Sequence, residues 1–457
     1  MLLTLSQPSA HWKAENTMAT EHRASECVRA SECVHLLTEQ EQAMLNGKEG
    51  RAVQRAIEIV VALAKIYDAQ QLVPVTSVQV AGVSFKNLGE AGLEFLREWA
   101  EQGARVRVPT TLNPAGIDLD QWQRLGFSPD FARRQQQVIE AYAAMGIRPT
   151  CTCTPYWVGN RPQYGDHIAW AESSAVSFAN SVLGARTNRE GGPSALAAAI
   201  CGRTAAYGLH LDENRLARYR VDVRCPLQTT SDWSALGYLV GRQVRNGVPY
   251  FCLHHGFGPL RVPNTLKERG LADDPLADCL KALGAAMAAS GAVALYHIDG
   301  LTPEAQRGSV LASDAEQITI EDLSPGYAAL QSRSPDAVHP TRIDLVSIGC
   351  PHASPDEIRQ VAQATAGKRL RAALWVTTAR ETKAQMSTEA ESIQAAGGMV
   401  VADTCLVVAP VEQLGFRTMA TNSAKMAYYT PSHSRLEVRF GTLAQCIEAA
   451  MTGVWAG

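Results

Sequence analysis

The sequence predicts an α/β protein of several domains with largely parallel sheets. Helical and strand-like stretches alternate along most of the chain, and a βαβαβ run stands near its end. The chain has 457 residues, 46% apolar and 19% charged, enough to bury the cores of two or three domains.

Residues 1–43 differ from the rest. They are polar, lack sustained periodicity and contain a six-residue duplication, Arg23–Val28 followed by Arg29–Val34. They read as an N-terminal extension, disordered or a misassigned start, ahead of a main region at 44–457. Cys27 and Cys33 come with the duplication and have no particular ligand geometry. A capped helix start is expected near Leu37, because Thr38 stands three residues before Glu41.

From Arg51 onward, Val53, Ile57, Val60, Val61, Leu63 and Ala64 recur at helical spacing. The run Val78–Ser84 reads as a strand. Further helices are expected at Gly89–Gly103, Asp130–Met145, Gly192–Ala206, Ser231–Asn246 and Leu276–Ser290. Strands are expected at Ala104–Val108, Val248–Leu253 and Ala292–His297. The clearest unit spans 340–410. Ile343–Cys350 is a strand and turn, and Ser354, Pro355 and Glu357 open a helix with a capping box. Arg371–Thr377, Thr382–Ala396 and Met399–Val408 complete the βαβαβ pattern. Right-handed crossovers bring the strand ends to one edge, where open α/β sheets bind ligands, so Cys350 and Cys405 are expected to approach.

Composition narrows the function. A net charge of -3 predicts no preference for nucleic acid or membranes. No apolar run reaches the roughly 18 residues that span a bilayer, and the start lacks a signal-peptide pattern. A cytoplasmic setting is expected, in which the eleven cysteines are free thiols, metal ligands or catalytic groups rather than disulfides.

Cys201, Cys225, Cys252, Cys279 and Cys446 fall on apolar faces and read as small buried residues. Cys153, Cys350 and Cys405 stand instead beside Gly, Pro or Asp at strand-to-loop junctions, where backbone N–H groups are exposed. Three thiolates can hold an iron–sulfur cluster with one iron left open as a Lewis acid. Cys151 is the alternative to Cys153, which is preferred because it adjoins Thr154-Pro155-Tyr156. Trp170–Glu190 packs hydroxyls, amides and two arginines into one stretch, suited to an anionic substrate. Ala81–Asn87 and Thr110–Pro114 each follow a strand and can cradle a ligand. His254 and His255 point to opposite sides of a strand, which disfavours a shared metal.

Taken together, Gly82-Val-Ser84, Thr111–Pro114, Cys153–Tyr156, Glu172–Ser174, Arg186–Glu190, Gly349–His352, Asp403–Cys405 and Lys425 make the chain from Leu37 onward resemble the large subunit of the aconitase X family. The resemblance implies an aconitase-like architecture around a central metal site, with Cys153, Cys350 and Cys405 ligating an iron–sulfur cluster or mononuclear iron. It places Gly82, Val83, Ser84, Asn113, Pro114, Glu172, Ser173 and Lys425 at the substrate, with Glu172, Ser173 and Lys425 as catalytic candidates. It also implies a separate small swivelling-domain subunit and a small β-hydroxy acid as substrate. The family acts on cis-3-hydroxy-L-proline, giving 1-pyrroline-2-carboxylate, or on mevalonate 5-phosphate. The first is favoured here, because the sequence shows no dense Lys/Arg cluster for a phosphate. Two rival readings remain: a thiol enzyme using Cys350 with His352 as its base, and an iron–sulfur binding protein without catalysis.

Overall fold

The computed structural model describes residues 37–258, 274–332 and 341–456. The duplicated segment with Cys27 and Cys33 lies outside the described residues. Helix α1 (Glu39–Leu45) crosses the boundary read at 43/44 and carries the expected reciprocal capping box between Thr38 and Glu41. Helix α2 (Arg51–Ile66) buries Val53, Ile57, Val60, Val61 and Ala64.

Three parallel sheets follow. In the first, β1 (Val78–Val80) lies between β2 (Thr110–Leu112) and β3 (Ala169–Trp170). Its helices are α3 (Phe85–Glu101), α4 (Pro129–Ala144), α5 (Ser173–Phe178) and α6 (Gly192–Cys201). The second sheet has the order β6-β5-β4-β7, from β4 (Ala217–Val223), β5 (Pro249–Leu253), β6 (His297–Ile298) and β7 (Leu311–Ile320). Against it lie α7 (Thr230–Val244) and α8 (Pro275–Gly291). Helix α8 is buried on every side from Leu276 to Ala289, as its alanine-rich sequence demands.

The third sheet is built from β8 (Leu345–Ile348), β9 (Ala373–Thr378), β10 (Met399–Ala402), β11 (Thr418–Thr421) and β12 (Glu437–Phe440), in the order β10-β9-β8-β11-β12. The chain winds outward from β8 through β9 to β10, then returns to the other side of β8 as β11. The gap beyond the carboxyl ends of β8 and β11 is therefore a topological switch point, where open α/β sheets form ligand crevices. Helices α9 (Pro355–Thr365), α10 (Ala424–His433) and α11 (Leu443–Thr452) complete this unit, and α9 has the expected Ser354/Glu357 capping box.

Several boundaries move. Ala104–Val108 is not a strand; the sheet takes Thr110–Leu112, whose register pairs with β1. Ala292 in the left-handed region ends α8 and leaves only His297–Ile298 paired. The helix expected at Thr382–Ala396 breaks at Met386 into Arg380–Gln385 and Ser387–Ala395. The strand expected to run to Val408 stops at Ala402, because Asp403 takes φ 63°. Strand β7 went unread because polar residues such as Asp314, Glu316 and Gln317 fill it. Among the described residues, no helix is long and apolar enough to cross a membrane.

One packing contact sets an acid limit on stability. His210 is 2% exposed and its Nδ1 lies 2.9 Å from Nδ1 of His167. Burial, then His167, depress the His210 pKa to about 3. The unfolded chain therefore binds a proton near pH 6.5 that the folded chain refuses until about pH 3, so stability falls as pH falls through that window. By pH 4.5 the expected loss is about 2 to 3 kcal/mol, from roughly two pH units at 1.36 kcal/mol each. Urea melts of His210→Gln should show a flatter pH profile. An unchanged profile would mean that other groups set the acid limit.

Candidate active site

The thiols meet at the switch point because three turns hold them there. After β8, Gly349 adopts φ 94°, and a Cβ on it would lie 2.2 Å from the Thr377 carbonyl oxygen, so only glycine turns the chain this closely. Cys350 follows. Cys405 comes from the turn after β10, three residues beyond the strand rather than late within it. That turn is tied to the first unit, where the Ala115 N–H donates to the Asp403 carbonyl at 2.7 Å. Cys153 comes from the loop before β3, and its Sγ accepts the His352 N–H at 3.2 Å. All three side chains are buried.

The thiols are close enough to act on one another. A hydrogen bond with Cys405 lowers the Cys350 pKa, against burial and with help from Lys425. The same bond and burial push Cys405 up. Burial, then the Glu172 charge, push Cys153 up to about 12. Cys151, the alternative, is surrounded by Asp403, Arg380 and Glu381 instead. The structure therefore brings Cys153 to the other two thiols. No three His, Cys, Asp or Glu side chains among the described residues converge so as to hold a single metal ion. The soft donor set nonetheless suits an iron centre, and in a cluster each thiolate binds a different iron, so the sulfurs stand apart.

His352 is a strut, not a base for Cys350. Its Nε2 lies 2.9 Å from the Thr404 carbonyl and its Nδ1 2.9 Å from Thr152 Oγ1. Burial lowers its pKa to about 4, so the neutral ring donates from Nε2 and accepts at Nδ1. It thereby links the Cys153 loop to the Cys405 loop, with neither ring nitrogen left for the Cys350 thiol. Beneath this turn, Lys281 Nζ donates to the His352 carbonyl at 3.2 Å and pairs with Asp278 and Glu357. Sequence reading missed this buried lysine; a charged i, i+3 pair inside an alanine-rich helix was the available signal.

Glu172 and Lys425 face the thiols from the opposite side. Glu172 caps α5, accepting the Ala175 N–H at 2.7 Å and the Ser174 hydroxyl at 2.8 Å, and pairs with Lys425. Lys425, at the start of α10, also donates to Ser174 at 2.6 Å and Ser173 at 3.4 Å. Burial opposes both charges. Lys425 nevertheless holds the Glu172 carboxyl below its usual range, and Glu172, then Cys350 and Cys153, raise the Lys425 pKa.

The remaining expected residues lie on two loops tied by hydrogen bonds to neighbouring segments. Gly82 has φ 81°, and its carbonyl accepts the Tyr142 hydroxyl at 3.2 Å. The Val83 carbonyl accepts from Gln135 at 2.9 Å, and Ser84 Oγ donates to the Val408 carbonyl at 2.8 Å, joining this loop to the Cys405 segment. Asn113 and Pro114 precede the Ala115 link. The Oδ1 of Asn113 is buried without a hydrogen-bond partner among the described residues, as are Tyr156 Oη and Thr404 Oγ1. Such orphans mark places where a ligand completes the bonding. Tyr156 stood in the Cys153–Tyr156 motif yet was not singled out; its hydroxyl feels both Cys153 and Glu172. His254 and His255 lie outside this cleft, bonded to Asp222 at 3.1 Å and the Arg224 carbonyl at 2.9 Å.

A second feature lies outside what the sequence reading singled out. Arg186 is tied to Asp212 and the His210 carbonyl, but Arg189 lines an open cavity of about 460 Å³ with Arg242 and Arg245. The sequence does not show the three together, because Arg189 lies far along the chain from Arg242 and Arg245, which share the end of α7.

The comparisons show the family. Residues 35–213, 217–324 and 343–452 match the models of the aconitase X first, second and third domains. The holo form of aconitase X from Thermococcus kodakaraensis superposes with a TM-score of 0.78 at 45% identity, covering 91% of this chain and 99% of that one. The phosphomevalonate dehydratase large subunit of Methanothermobacter thermautotrophicus is 50% identical over 400 residues, 87% of this chain and 94% of that protein. The cis-3-hydroxy-L-proline dehydratase of Pseudomonas aeruginosa is 37% identical over 424 residues, 90% of this chain but 69% of that protein. The fold and the relatives define a dehydratase, a hydro-lyase of the aconitase type. The chain belongs to the aconitase X family. That membership implies a metal or iron–sulfur cofactor, and a relative named as a large subunit implies a smaller partner.

Proposed function

We propose that the chain is the large subunit of a dehydratase acting on mevalonate 5-phosphate, rather than on the cis-3-hydroxy-L-proline that the sequence reading favoured. One observation carries this: 50% identity across 94% of a phosphomevalonate dehydratase large subunit, against 37% identity and 69% coverage for the hydroxyproline enzyme. The reaction removes the C3 hydroxyl and a C2 proton, leaving a C2=C3 double bond conjugated to the carboxylate, with water as the second product.

Cys153, Cys350 and Cys405 would hold the iron centre as an iron–sulfur cluster, which when bound supplies a Lewis acid for the leaving hydroxide. Lys425 and Ser173 orient the substrate carboxylate, with Glu172 holding Lys425 charged and in place. Asn113 Oδ1 is free to accept a substrate hydroxyl. The Gly82–Ser84 loop closes one wall and keeps water out. A separate small subunit completes the site. The test is an assay of the iron-loaded, co-purified pair on both substrates; turnover of hydroxyproline alone would overturn this reading.

Lys425 has a measurable effect. Lys425→Met removes a charge-assisted bond of about 1.5 to 3 kcal/mol, or roughly 10- to 150-fold in substrate affinity. It also strands the buried Glu172 carboxylate, which should cost about 3 to 5 kcal/mol of stability. Adding Glu172→Gln should recover much of the stability and none of the affinity. Unchanged affinity and turnover in Lys425→Met would exclude it from the site.

A further inference from the structure

We infer that Arg189, Arg242 and Arg245 form a phosphomonoester subsite that takes the phosphate end of the substrate; this rests on the mevalonate 5-phosphate reading above. The three arginines line one cavity of about 460 Å³ that is open to solvent. None of them forms an ion pair or side-chain hydrogen bond with another described residue. Three uncompensated like charges around one cavity repel one another, and an anion with several acceptor oxygens relieves that repulsion through forked hydrogen bonds. Arginines near helix ends often serve to neutralise the last carbonyls. Arg242 and Arg245 stand at the end of α7, yet neither side chain bonds a carbonyl there.

Arg245 adds a second observation, a strained backbone. Its backbone sits at φ 48°, ψ -130°, a conformation that favours glycine and costs a side-chain-bearing residue roughly 1 to 3 kcal/mol.

Position ties the cavity to the cleft. Helix α10 carries Lys425 in its first turn, and Tyr429, which lines the cavity, stands four residues later on the same face. Four residues of helix rise about 6 Å. The six bonds from the carboxylate carbon to the phosphorus of an extended mevalonate 5-phosphate span roughly 7 Å at ordinary bond lengths. The helix rise from Lys425 to Tyr429 and the length of the substrate are therefore of the same order. Arg189 is held between the cleft loops. The N–H of Glu190 donates to the Trp170 carbonyl at 3.0 Å, two residues before Glu172, and Gly192 packs so closely on the Ala81 carbonyl that a Cβ would lie 2.6 Å from its oxygen.

The experiment uses the iron-loaded complex with its small subunit and the variants Arg189→Ala, Arg242→Ala and Arg245→Gly. Two quantities are measured: KM and kcat for mevalonate 5-phosphate, and binding of inorganic phosphate by titration calorimetry. Each variant should raise KM about 10- to 150-fold, with a smaller change in kcat, and weaken phosphate binding. Inorganic phosphate should compete with the substrate in the wild type and lose that competition in the variants. Arg245→Gly also relieves the backbone, so weaker binding in a protein that melts no lower separates a ligand role from a structural one. If the wild type dehydrates mevalonate 5-phosphate and the variants keep its KM, the inference is overturned while the functional reading stands. If the wild type ignores the phosphorylated substrate but phosphate binding still depends on the arginines, the functional reading falls and the phosphomonoester subsite stands. If neither substrate kinetics nor phosphate binding responds to the arginines, the inference fails outright.

Discussion

Serine in place of Cys153, Cys350 or Cys405, one at a time, should remove iron, visible absorbance and dehydration together. The thiols couple to one another in the buried crevice beyond β8 and β11, and a serine hydroxyl is a poor, hard substitute for a thiolate toward iron. With one ligand gone, the centre is lost or opened to solvent, and activity should fall at least as far as the 10²- to 10⁴-fold typical of losing a main catalytic group. Two controls sharpen the result. Cys201→Ser lies on the buried face of α6, and Cys151→Ser faces Asp403 and Arg380; both should keep iron and absorbance. The same series separates the rival readings, because a thiol enzyme keeps its activity after iron is chelated and loses it on alkylation. Three variants with full iron would sink the ligand assignment.

How much of this was legible in the sequence follows from what each signal depends on. The capping boxes at Thr38 and Ser354 and the periodicity of α2 are local, and the structure repeats them nearly residue for residue. The turn that carries Cys350 was legible because Gly349 marks a sharp change of backbone direction. Strand ends were less so: nothing local says that Asp403 will adopt φ 63° and stop β10 short of Cys405. Strand β7 escaped because its polar side chains conceal it. The least legible features join distant segments. His352 linking Thr152 to Thr404, Lys281 under the cysteine turn, and the arginines around one cavity exist only once three sheets have packed. The arginines went unread for this reason, since a basic cluster was sought along the chain when it forms across it.

The large subunit alone should load iron yet dehydrate slowly. Elimination needs a base for the C2 proton as well as a Lewis acid for the hydroxide, both held in register. In this chain the buried carboxylate facing the thiols is Glu172, and it is already engaged by Ala175, Ser174 and Lys425, which lower its basicity. His352 has both ring nitrogens committed to the scaffold. Lys425 is held protonated by its neighbours and cannot accept a proton. The base is therefore expected from the small subunit, whose docking over the crevice also excludes water. Titrating the small subunit into the iron-loaded chain should raise turnover by about 10²- to 10⁴-fold and saturate at one partner per chain. Iron content and absorbance should stay constant throughout, which separates a missing base from a missing metal. If the isolated chain already runs at the full rate, the base lies within it; Glu172→Gln then becomes the decisive variant, and the Lys425 pairing must open during turnover.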